Sequence, residues 1–236
     1  NGTLRVPDAR KERFLPGELS PAQAVALQVR EAACVSLEDG MPWPPRTVAG
    51  GDVSIRKAGG RDWAAACIAV MEWGTWKLLQ AAAWRGDARF PYVPGLLSFR
   101  ELPLILEAAA SLENWPDLFL VDGAGLAHPR FFGLACHLGV LTGCPSVGVA
   151  KSRLAGSHAP VPEAKGANVP LLLGGRIAGA VTRTRSGVRP LYVSPGHMVS
   201  LESAVSLVLG ACTRYRLPEP IRMAHKLAGD QNLLYS

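Results

Sequence analysis

The chain is poor in cysteine, and the cysteines it has form no motif. Five are scattered over 236 residues, at Cys34, Cys67, Cys136, Cys144 and Cys212. Their odd number and the lack of any CxxC pair argue against a structural zinc module or a disulfide framework, and point to a reducing compartment. Long hydrophobic runs are missing as well: nowhere do about 18 apolar residues follow one another, so no segment reads as a membrane span. The first twenty residues carry charges and two prolines but no apolar stretch of the signal-peptide kind. The sequence therefore reads as that of a soluble, cytoplasmic protein. No GxGxxG opens a helix, and Gly174-Gly175 reads as a turn, which sets aside a dinucleotide fingerprint. Acidic residues are in the minority, 19 against 25 Lys and Arg, for a formal charge of +6. Such a surface favours a phosphate-rich partner through counterion release, without requiring one.

The 48% hydrophobic content is enough for one buried core, so residues 1–236 are expected to form a single domain, with 1–19 an irregular N-terminal arm. Ser20-Pro21-Ala22-Gln23 has the form of a helix start, with Ser as N-cap, Pro at the first helical position and Gln three residues after Ser. The apolar segments TVAGGDVSI, WAAACIAVMEW and TWKLLQAAAW, separated by Gly59-Gly60 and Gly74-Thr75, predict an antiparallel meander. A proline-bracketed loop, Phe90 to Gly95, precedes a helix in SFRELPLILEAAASL, where Pro103 is tolerable within a first turn. From Asp117 the pattern becomes strand, glycine turn, helix (about Phe131 to Leu141) and strand PSVGVA. That is a βαβ unit with parallel strands. More β-structure is expected over 169–194, and helices over 200–213 and 219–228. A meander, then a helix, then parallel β/α units is the element order of an α/β, ribonuclease H-like mixed sheet flanked by helices.

Three acids fall where such a sheet could gather them: Asp52 within the first strand, Asp122 closing LFLVD, and Glu101 on the intervening helix. Charged Asp residues at the ends of apolar strands are costly unless paired or coordinating, and three carboxylates together repel one another. A divalent cation resolves that repulsion, and all-oxygen ligands select a hard ion, Mg²⁺ or Mn²⁺. Each acid also has a local alternative: Asp52 and Asp122 could cap turns, and Glu101 could complete a capping box with Ser98.

The segments GGDVSI, FPYVPGLLSFRE, LVDGAGLAHPR, GVAKSRL, PLYVSPGH and LPEPIRMAH, in that order from about Val48 to His225, resemble the endonuclease V family. The resemblance implies a ribonuclease H-like core and Mg²⁺-dependent hydrolysis of the second phosphodiester 3′ to a deoxyinosine, leaving a 3′-hydroxyl and a 5′-phosphate. It implies Asp52, Glu101 and Asp122 as metal-binding acids, His225 beside the metal, and Lys151 near the catalytic centre. It further implies Tyr92-Val93-Pro94-Gly95 as a wedge beside the lesion and the stretch from Gly123 through Gly125 to His128 as part of a pocket for the extruded base. Physically, reading an altered base means unstacking it. A flat Tyr92 replaces lost stacking, flanking prolines lower the entropic cost of insertion, and Gly123 and Gly125 would let backbone approach the base. Where family members often carry an aromatic residue after the first acid, this strand turns basic, as Arg56-Lys57. The implied partner is DNA containing deoxyinosine or other deaminated bases. Inosine-containing RNA, a non-catalytic role in binding distorted strands and small-molecule phosphohydrolysis remain as alternatives, and no protein partner is inferable. The Arg-rich stretch 182–189 reads as an exposed hairpin or a phosphate contact.

Overall fold

The structure, a computed structural model, describes residues 6–15, 17–58 and 61–229. It opens with two helices, α1 (Asp8–Phe14) and α2 (Pro21–Glu31). The Ser20 hydroxyl accepts from the Gln23 amide and the Gln23 side chain accepts from the Ser20 amide, so the capping box forms as the sequence suggests. The expectation of an irregular arm over 1–19 is corrected by α1. Val6 and Phe14 are buried in the main core, and the buried His137 ring hydrogen-bonds the Phe14 carbonyl at 2.5 Å. Burial of those apolar groups, rather than a strong local helix signal, holds α1 in place.

Strands β1 (Thr47–Ala58), β2 (Arg61–Glu72) and β3 (Leu78–Asp87) form the expected antiparallel meander; the Gly59-Gly60 turn lies outside the described residues. After α3 (Leu97–Ala109), strand β4 (Leu118–Val121) inserts parallel to β1, and after α4 (Leu134–Thr142), strand β5 (Ser146–Ala150) lies parallel to β4. Strands β6 (Asn168–Leu173), β7 (Arg176–Thr182) and β8 (Leu191–His197) complete one sheet, ordered β3-β2-β1-β4-β5-β8-β7-β6. Helices α5 (Leu201–Ala211) and α6 (Glu219–Gly229) end the described chain. This is the ribonuclease H-like mixed sheet that the element order implies.

Two boundaries differ from expectation. Pro103 is the seventh residue of α3 rather than part of its first turn. A proline there removes a backbone hydrogen bond, and the buried stripe of Leu102, Ile105, Leu106 and Ala109 holds the helix nonetheless. Helix α4 starts at Leu134 because Phe131 adopts φ +52° and Gly133 is the N-cap.

Side chains alternate across the sheet and separate two cores. On one face, Ala49, Phe119 and Val121 join the core beneath α3 and α4; on the other, Val48, Leu118 and Leu120 join Leu207, Val208 and Ile221 of α5 and α6. Helix α3 lies mainly on β2 and β3 and reaches β1 at its edge. Helix α6 approaches β1 closely because Gly50 has no side chain: a Cβ there would sit 2.1 Å from the Pro220 carbonyl group. A Gly50→Val substitution should therefore push α6 off the sheet, costing about 1–3 kcal/mol or more as overpacking does. Urea unfolding would register that loss, and wild-type stability in the variant would refute this account of the glycine.

Candidate metal centre and adjoining pocket

The parallel register pairs Gly51 with Val121, so the next residues, Asp52 and Asp122, lie level at the ends of adjacent strands. Val53 and Val121 belong to the α3/α4 face; alternation turns Asp52 and Asp122 to the opposite face, where α6 runs. His225 of α6 reaches both, its Nε2 lying 2.9 Å from Asp52 Oδ1 and 3.2 Å from Asp122 Oδ2. One donor atom from each of the three lies within 4.8 Å of the others, a spacing suited to a metal ion. Lys151, just beyond β5, places its Nζ 2.5 Å from Asp122 Oδ2 and 3.5 Å from His225 Nε2.

Glu101 comes from α3, on the other side of the strand ends. It is not one of those three donors, but it lies within their field: burial first, then the charges of Asp122 and Asp52, push its carboxyl up to about 8. The capping-box alternative does not hold. The N-cap of α3 is Leu96, and the buried Ser98 hydroxyl hydrogen-bonds His137 instead. Burial would raise Asp122, but hydrogen bonds from His225 and Lys151 hold it below the usual carboxylate range. Hydrogen bonds to Asp122 and Asp52 raise His225 to about 9. The donor chemistry fits a divalent cation: the carboxylates of Asp52 and Asp122, an imidazole, and a third acid that burial and then their charges push towards its protonated form.

These shifts make stability depend on pH. Glu101 and His225 both have folded-state values above their ordinary ones, so each contributes stability that is fully present below the ordinary value, 4.5 for Glu101 and 6.5 for His225, and is lost as pH rises from there to about 8 and about 9 respectively. In a chelating buffer, Tm should fall as pH rises across that window, and a divalent cation should restore it. A Tm that is flat or rising across the window, with chelator present, would contradict the assignment.

A cavity of about 150 Å³ is lined by Tyr92, Val93, Pro94, Gly95, Ala124, His128, Leu154 and the starts of α3 and α4. The proposed wedge and His128 thus face one space, with Tyr92 73% exposed at its rim. Gly123 and Gly125 do not line it. A Cβ on Gly125 would meet the Pro195 carbonyl oxygen at 2.0 Å, and one on Gly123 would touch Leu134. These glycines let the loop pack closely against β8 and α4. Both ring nitrogens of His128 are occupied: Nε2 bonds the Gly95 carbonyl at 2.9 Å and Nδ1 accepts from the Arg130 amide at 3.2 Å. Burial lowers its pKa to about 4, so the neutral Nε2–H ring is a strut holding the wedge loop.

Sequence reasoning missed Gln28 and Arg130. Fully buried Gln28 donates to the Gly95 and Phe132 carbonyls at 3.1 and 3.2 Å, and its Oε1 accepts from Arg130 Nε at 2.5 Å. Arg130 Nη2 adds a 2.7 Å bond to the Gly95 carbonyl. The loop's other end is also pinned, since Arg100 donates to the Phe90 carbonyl and pairs with Asp62. The missed signal was positional: Ala24, Leu27, Gln28 and Glu31 form the buried stripe of α2, and two of these four are polar. Gln28→Leu would strand the Phe132 carbonyl and Nε of Arg130, costing about 1–3 kcal/mol; chemical denaturation would show it, and an unaltered midpoint would rule the clamp out. The 182–189 stretch also divides. Arg183 is buried on the Val161, Pro162 and Val188 carbonyls, whereas Arg185 and Arg189 are exposed.

Level carboxylates at the ends of central parallel strands, flanked by cations, place this ribonuclease H-like protein among the nucleases that cleave phosphodiesters. A family model described as Endonuclease V matches residues 30–226. Endonuclease V of Roseiflexus castenholzii is 48% identical over 215 residues, covering 91% of this chain and 94% of the relative. The crystal structure of the Bacillus subtilis endonuclease V superposes with a TM-score of 0.87 at 30% identity, covering 93% of this chain and 94% of that one. The Ciona intestinalis endonuclease V, solved with a DNA containing an inosine followed by a ribo-adenosine, gives a TM-score of 0.77 at 26% identity, with 91% and 98% covered. The chain belongs to the endonuclease V family.

Proposed function

We propose that the protein is a divalent-metal-dependent endonuclease that recognises hypoxanthine in DNA and hydrolyses the second phosphodiester on its 3′ side. The observation that carries this reading is the Asp52–Asp122–His225 cluster, from which the chain runs only two residues beyond Asp122 before Ala124 enters the wall of the cavity beneath the Tyr92–Gly95 loop. The inosine-bearing strand bound by the Ciona relative supports the substrate class. Asp52 and Asp122, with Glu101 once deprotonated, would hold Mg²⁺ or Mn²⁺. When bound, the ion would polarise the phosphodiester and lower the pKa of the attacking water.

The chain's own residues do the rest. Tyr92 covers the stack where the base has left, and the cavity, apolar with few polar groups, excludes water around the extruded base. Lys151 offsets charge building on the phosphate. The water oxygen joins phosphorus and gives up a proton, the bond to the 3′ oxygen breaks, and that oxygen takes up a proton; His225, raised to about 9, would supply the leaving oxygen's proton and be recharged by the one the water releases. No protein partner is proposed. Among the described residues no helix is long and apolar enough to cross a membrane.

The test is an end-labelled oligonucleotide with one deoxyinosine. With Mg²⁺ or Mn²⁺ it should be nicked at the second bond 3′ of the lesion, and Asp122→Ala should slow cutting at least about a hundredfold, as loss of a key electrostatic group does. Absence of cutting with either ion would overturn the proposal, and faster cutting of a matched inosine RNA would move the substrate to RNA.

A further inference from the structure

The lesion cavity and helix α6 lie on opposite faces of the sheet, with the acids at the strand ends between them. The cavity is built from α2 and the starts of α3 and α4. The far side is built from α6 and the 212–218 corner that leads into it. If the altered base sits in the cavity and the cut falls on its 3′ side, the strand beyond the cut must leave across the α6 side.

On that side stands an aromatic residue that the proposed chemistry leaves unused. Tyr215 has the Arg222 guanidinium 3.3 Å from its ring centroid, yet it remains 45% exposed. Arg222 is fixed in turn by Glu219 at 2.7 Å. It lies three residues before His225 on the same helix, so the two side chains are neighbours on one helix face. The next residue along the corner, Arg216, donates to the Lys151 and Pro190 carbonyls, both at 2.8 Å, which ties the corner to the lysine on Asp122. Exposed Arg214 flanks Tyr215, and exposed Arg189 lies within electrostatic reach of Arg216. A held aromatic ring among cations, backed here by an arginine one helical turn from His225, is how proteins bind single strands without reading sequence: bases stack on the ring and phosphates meet the charges.

We propose that Tyr215, backed by Arg222, is a stacking platform for a base on the 3′ side of the scissile phosphodiester, and that its ligand is a nucleic-acid strand of any sequence. The inference rests on the proposed endonuclease activity. It makes substrate affinity depend on how far the strand extends beyond the cut, while the chemical step does not.

Two single-stranded deoxyinosine oligonucleotides with identical 5′ parts test it, one ending just past the cut and one extending well beyond. Tyr215→Ala should raise KM about tenfold on the long substrate, leave kcat unchanged, and have little effect on the short one. Tyr215→Phe should behave as wild type on both. If the Ala variant fails to fold, Tyr215→Leu, which keeps apolar cover over Arg222, should show the same loss. Equal effects on both substrates, no effect on either, or dependence on 5′ length would overturn the platform. Failure of the wild type to cut either substrate would defeat the proposed function itself, and the platform with it.

Discussion

Carboxylates that would repel one another are held at one end of two parallel strands, and the surrounding structure is arranged to tolerate them. The β1–β4 register puts Asp52 and Asp122 level. Burial then strips away solvent that would otherwise screen them. Three responses are visible: His225 gains a proton affinity well above the ordinary imidazole, Lys151 closes on Asp122, and Glu101 keeps its proton. A site that raises the proton affinity of one acid and draws in Lys151 and His225 has the charge to hold a metal ion.

The geometry depends on both faces of the sheet. Helix α6 delivers His225 only because Gly50 lets it sit close to β1, while Glu101 arrives from α3 on the opposite side. The acid cluster is therefore a seam between the two cores. The cavity lies on one face of that seam and the Arg-rich corner on the other, with the acids at the edge where the central strands end.

Rigidity next to the cavity comes from backbone carbonyls more than from proline. The Gly95 carbonyl accepts from Gln28, His128 and Arg130, and Arg100 holds the Phe90 carbonyl at the loop's other end. A projecting loop fixed at both ends loses little entropy on inserting. It also explains why His128, though it faces the cavity, has no free ring nitrogen to offer a ligand.

The meander, the parallel unit and the candidate acids were legible because they rest on local signals: alternation of apolar residues, glycine turns, and charged residues interrupting apolar strands. The quoted segments carried the family likeness for the same reason. Gln28, Arg130 and Tyr215 were not legible, because their roles arise from partners 67, 35 and 7 residues away along the chain, and nothing in a linear pattern says which carbonyl or ring a side chain will meet. Helix α1 escaped notice because its stability comes from burying Val6 and Phe14, not from its own sequence. Gly123 and Gly125 drew attention as residues without side chains, but only tertiary packing showed that the space they leave belongs to Pro195 and Leu134. The sequence by itself settled most of the elements, α1 excepted, and which acids are available. The tertiary structure decided which of those acids share a cation site and which neighbours hold them there, because distances between chain-distant groups are set by sheet register and helix packing.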